Sequence, residues 1–137
     1  MGKTTGRESV GSTSPEMLFI GTAHPAPVCH VVIASGQGAM KRGTVLVEDI
    51  EGKCVILGTE GYAAPHTASG DAQKEYIAAY ILAQDEDGTE EDTVAAAYKG
   101  GDFNKGALKV KEGYEMTPGD IAALRNGGIH LGNIMEY

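Results

Sequence analysis

At 137 residues the chain has the length of one domain, enough to bury a single core but not two. Twenty glycines, only two phenylalanines and no tryptophan imply many turns and a modest core, so stability from self-association or a partner is expected. A formal charge of −8 and a pI near 4.9 repel phosphate backbones and argue against a nucleic-acid partner, and no apolar run approaches the roughly 20 residues that a membrane span needs.

Residues 1 to about 15 are Gly, Ser, Thr and charged side chains without periodicity, which predicts an arm that is disordered when free. Gly2-Lys3-Thr4 lacks the glycine, loop and strand that would precede it in a phosphate-binding loop. Gly6 stands where a myristoylation signal after Met1-Gly2 needs Ser or Thr, and nothing N-terminal has the form of a signal peptide. Met17-Leu18-Phe19-Ile20 is a short apolar run, and Pro25-Ala26-Pro27 then holds the chain extended. Two readings of that run stand side by side. It packs as a first strand on its own domain, or it adds as a strand to another protein's sheet edge.

Val28 to Ala34 is a β-branched run and reads as a strand. It enters Ser35-Gly36-Gln37-Gly38, where Lys41 replaces the third glycine of a dinucleotide turn and Gly43-Thr44-Val45 leaves no room for a helix. Thr44 to Asp49 and Cys54 to Leu57 form strands joined through Glu51-Gly52-Lys53 as a hairpin, and residues 58 to 70 form a loop. Asp71 to Gln84 is ambiguous, because Ile77, Tyr80 and Ile81 fall at helical spacing.

Asp85 to Asp92 holds six carboxylates in eight residues, but Gly88 is fourth, not sixth, as a calcium loop of the EF-hand type requires; a solvated, self-repelling loop is expected. Val94 to Tyr98 is a strand of small and aromatic residues, Gly100-Gly101-Asp102 punctuates it, and Phe103 to Val110 resumes extended. Thr117 caps a helix with Pro118 in its first position and Asp120 completing an acidic capping box. Ile121 and Leu124 form its buried stripe, Asn126-Gly127-Gly128 ends it, and Ile129 to Met135 closes the chain as a strand or tail.

The four histidines, His24, His30, His66 and His130, are scattered without zinc-ligand spacing, and Cys29 and His30 point to opposite faces of a strand. Cys29 and Cys54 read as reduced thiols. Ser35 lacks a nucleophile frame, and the acids of the 85–92 loop lack apolar surroundings to raise a carboxyl pKa. No catalytic, metal or cofactor residues are predicted.

Gly-Gly-Asp-Phe-Asn-Lys-Gly-Ala-Leu (100 to 108), Thr117-Pro118-Gly119-Asp120-Ile121, Leu124-Arg125 and Gly128-Ile129-His130-Leu131 together resemble the phage head decoration protein D family. Gly38 to Leu46 is similar to that family's entry into its folded part, and the ordered match covers roughly the last hundred residues. The resemblance implies a mainly β domain with a short C-terminal helix (α+β) of β-clip type, with a flexible N-terminal arm (1–27), disordered when free, and a decoration domain (28–137). It places Ala78 to Ala83 in a strand despite the local helix propensity. It implies a structural virion protein, not an enzyme, made in the host cytoplasm. That protein binds the outer capsid surface as a homotrimer at local three-fold positions, with the major capsid protein as partner and Met17, Leu18, Phe19 and Ile20 as candidate capsid-binding residues. The alternative is a small ligand-binding module or enzyme that uses the Gly36–Gly38 turn or the acidic 85–92 loop for nucleotide or calcium.

Overall fold

The computed structural model describes residues 18–20, 25–65, 74–88 and 90–132, so the expected disorder of residues 1 to 15, and Met17, His24 and His66, lie outside the described residues. The fold is mostly strand with one short C-terminal helix. Five strands close a barrel: β1 (Val28–Ile33), β3 (Val45–Glu48), β4 (Lys53–Ile56), β7 (Ala78–Leu82) and β9 (Thr93–Tyr98), in the order β1-β4-β3-β7-β9. Every neighbouring pair is antiparallel except β1 and β4. Two-residue strands fill the connections: β2 (Ala39–Met40) pairs with β8 (Glu86–Asp87), and β5 (Tyr62–Ala63) with β6 (Lys74–Glu75). The 58–70 segment is therefore not wholly loop.

Local chemistry explains the β3–β4 hairpin. The Asp49 carboxylate accepts from the backbone N–H of Glu51 (2.9 Å) and Lys53 (3.2 Å), and Gly52 turns the chain at φ 86°, where a side chain is strained. β3 itself is buried on both faces, as the uninterrupted Val45-Leu46-Val47 run implies. Leu46 points into the barrel with Ile33, Cys54 and Leu82, whereas Val45 and Val47 point outward into a second core.

That second core is roofed by a smaller layer. β10 (Gly101–Asn104) and β11 (Ile129–Gly132) pair in parallel, and the crossover between them carries α1 (Pro118–Asn126). Phe103, Leu124 and Ile129 from this layer pack on Val45, Val47 and Ile81 of the barrel.

The strand reading of Ala78 to Ala83 holds, and the helical spacing of Ile77, Tyr80 and Ile81 does not act. β7 lies between β3 and β9, so Ile81 faces the outer core, Leu82 the barrel interior, and Ile77 is left 63% exposed. Strand pairing on two sides outweighs a propensity difference of a few tenths of a kcal/mol per residue.

Two local expectations need correction. The extended run from Phe103 to Val110 is broken by a 3-10 turn at Lys105–Ala107, because the Asn104 side chain accepts from Gly106 N–H at 3.1 Å. In α1 the buried partner of Leu124 is Asp120, one turn before it and 1% exposed, while Ile121 at the edge of the stripe is half-buried.

Candidate capsid-binding edge

Leu18 to Ile20 returns from the N-terminal segment to lie antiparallel to β10, with Phe19 opposite Phe103. Asn104 N–H donates to Leu18 C=O at 2.6 Å and Ile20 N–H donates to Asp102 C=O at 3.1 Å. Of the four residues of the apolar run, Leu18 is buried, Phe19 is half-buried and Ile20 is 38% exposed. The side chains thus serve their own domain, in agreement with the first of the two readings; the backbone is a separate matter.

In a strand, successive N–H and C=O pairs point to opposite sides. Leu18 C=O and Ile20 N–H turn to β10, so Phe19 turns its N–H and C=O away from it, and no strand lies beyond that edge among the described residues.

The Phe19 ring is fixed by an aromatic cluster. It meets Tyr98 edge-on with centroids 5.0 Å apart and an 82° interplanar angle, and Phe103 at 4.9 Å and 31°. Arg42 lies over Tyr98, its guanidinium carbon 6.0 Å from the ring centroid and its Nη2 donating to the phenol oxygen at 3.4 Å. Gly132 on β11 matters here: a Cβ at that position would come within 2.6 Å of Ile20 Cδ1, so glycine leaves the space that Ile20 occupies.

The two features of the ligand-binding alternative are tied to each other. Gln37 N–H donates to Gly88 C=O at 3.1 Å and Gly88 N–H to Gly38 C=O at 3.0 Å, and the Gln37 side chain accepts from Ile56 N–H at 2.9 Å. A phosphate would have to displace these bonds. The acidic loop is likewise engaged. Asp85 accepts from Arg42 N–H at 2.9 Å and pairs with Lys41 at 3.5 Å, and these contacts hold its carboxyl below the usual range. Asp92 pairs with Lys53 at 2.7 Å and accepts from Ser35 N–H at 2.9 Å, with the same effect. Among the described residues no three His, Cys, Asp or Glu side chains converge as metal ligands.

Cys29 and Cys54 are free thiols. Burial in the barrel pushes Cys54 from its ordinary 9.0 up to about 12. The folded state therefore holds this proton longer than the unfolded chain does. Its contribution to stability is intact below pH 9 and is lost as pH rises from 9 to about 12. Unfolding free energies from urea titrations should fall over this window more steeply for wild type than for Cys54→Ala, by up to about 1.4 kcal/mol per pH unit. Parallel slopes would show that this thiol does not matter to alkaline unfolding.

The family model for bacteriophage lambda head decoration protein D matches residues 11–131, most of the chain. The chain belongs to that family. Decoration-protein membership assigns it a structural role on a phage capsid and locates it in the virion. No curated protein sequence matches the chain. The match includes Leu18–Ile20, β10 and β11 up to Leu131, so the edge described above lies within the family's own span.

Proposed function

We infer that the chain is a homotrimer seated at local three-fold positions on the outer surface of an icosahedral phage shell, where it binds the major capsid protein and stabilises the shell against packaged DNA. It catalyses no reaction. Residues 1–27 are the arm, 28–137 the decoration domain, and Met17 to Ile20 the point where the arm meets both the domain and the shell. The observation that carries this reading, besides the family, is the outward N–H and C=O of Phe19 at the end of the N-terminal segment. A capsid strand laid there extends the sheet through the arm into β10 and β11, using backbone hydrogen bonds for affinity. Three arms on one trimer engage neighbouring capsid subunits, so weak single contacts combine into firm attachment.

The test is attachment to undecorated, expanded capsids, imaged by cryo-electron microscopy, for the full chain, for a chain lacking residues 1–20 and for Phe19→Pro, which removes the outward N–H while the two bonds of Leu18 and Ile20 to β10 stay available. The full chain should give trimeric density at the three-folds, and each variant that keeps the oligomeric mass of the full chain should leave at least nine-tenths of the sites bare. Full occupancy by either folded variant would overturn the role of this edge.

A further inference from the structure

Resting on the homotrimer reading above, we propose that the outward face of β1 and β9 is the surface through which copies of this chain meet one another. β1 is Val-Cys-His-Val-Val-Ile and β9 is Thr-Val-Ala-Ala-Ala-Tyr, and they pair over all six residues. None of these twelve side chains is an acid, lysine or arginine, although such residues make up 22% of the chain. Cys29, Val31 and Ile33 alternate inward with Ala95 and Ala97 to fill the barrel.

The other half of the alternation is exposed away from Tyr98, which the Phe19 cluster covers. Val32 stands directly opposite Val94, His30 opposite Ala96 and Val28 opposite Tyr98, and Val28, Val32 and Val94 are 57%, 36% and 65% exposed. The same residue type on the outward side of β3, Val45 and Val47, is 0% exposed beneath the β10–β11 layer and α1. The barrel wall is thus built of valine on two sectors, and among the described residues the valines of only one of them are covered.

Charge selects the occupant. Each copy carries −8, so two copies approach closely only where the contact is free of like charges, and β1–β9 is such a sector. Charged groups stand at its border: Lys53, paired in register with Val32, forms its ion pair with Asp92, and Lys99 follows Tyr98. An apolar centre inside a charged border is the anatomy of a protein–protein contact. Size also fits a central patch and not a whole interface. Two strands of this length present about 20 Å by about 10 Å, roughly 200 Å², against about 800 Å² per partner in a stable complex. The remaining area comes from the border as neighbouring copies close round the three-fold axis.

Sedimentation equilibrium on the full chain, Val94→Asp, Val94→Thr and His30→Glu tests this. Wild type and Val94→Thr should sediment at three times the 14.3 kDa chain mass. Val94→Asp and His30→Glu, both on exposed positions, should keep the wild-type circular dichroism and melting point within a few degrees while self-association weakens at least 100-fold. Two folded charge variants that remain trimeric overturn the face and leave the trimer reading intact. A wild type that is monomeric at all concentrations overturns the trimer reading, and this inference with it. A Val94→Asp trimer that no longer binds capsids assigns the face to the shell instead, which also overturns the proposal. Should one charge variant fail to fold, the other decides.

Discussion

Phe103→Ala should lower the unfolding free energy by about 4 kcal/mol, the usual cost of emptying a fully buried phenylalanine site. Phe103 is 0% exposed and touches both halves of the structure that matter here. Its ring supports Phe19 and Tyr98, and its backbone lies opposite Phe19 in the anchoring bridge. Removing the ring should therefore loosen Leu18–Ile20 more than it loosens the barrel. Amide hydrogen exchange separates the two effects, because Ile20 and Asn104 donate the two bonds that hold the anchor. In the variant the lead of these two amides over the β3 and β7 amides should widen relative to wild type at equal denaturant. A loss below about 1 kcal/mol would mean that the surrounding side chains collapse into the site, contrary to the rigid packing argued here.

Asp120→Ala should be nearly as severe, at about 3 kcal/mol, through a different mechanism. The Asp120 carboxylate completes the capping box with Thr117, accepting from Thr117 N–H at 3.0 Å while Thr117 Oγ1 accepts from Asp120 N–H at 3.1 Å. It also accepts from the phenols of Tyr76, at 2.8 Å, and Tyr114. Loss of a capping side chain costs about 1 kcal/mol, and a buried hydroxyl left without its acceptor costs about 1–3 kcal/mol more. Asp120→Asn keeps the shape and one acceptor oxygen, so it should lose less than half as much in a urea titration. Burial, followed by the bond to Asp120, pushes Tyr114 up to about 12. Its titration, followed by ultraviolet absorbance, should move down in Asp120→Ala. Equal stability of the Ala and Asn variants would show that the carboxylate acts only as the helix cap.

The cap of α1 was readable because Thr117-Pro118-Gly119-Asp120 acts within one turn of itself. The burial of Asp120 was not, since Tyr76 comes from a segment 44 residues earlier. β1, β3, β4 and β9 were visible as β-branched or small-residue runs, whereas β2, β5, β6 and β8, two residues each, are too short to carry a period. The parallel pairings of β1 with β4 and β10 with β11 leave no local mark, because long connections set them and not turns. The 3-10 turn after β10 did have a signal, Asn104 two residues before Gly106, which an extended reading of the run passed over. At the candidate site the apolar run was plain. That Leu18 would be buried while the Phe19 backbone faced outward depends on β10, and no pattern near residue 18 contains that information.

The bridge between Phe19 and Phe103 also sets an order of events. Every barrel strand lies between these two residues in sequence, so the bridge closes a loop around the entire barrel. Contacts of such long separation form late in folding, after the hairpin of β3 and β4 and its neighbour β7 have supplied a platform. Leu18–Ile20 is then the last backbone to lock and, held by two hydrogen bonds, the first to release. A newly made chain should thus close its barrel before its anchor strand docks, and the anchor should open and reclose at a free energy below that of global unfolding.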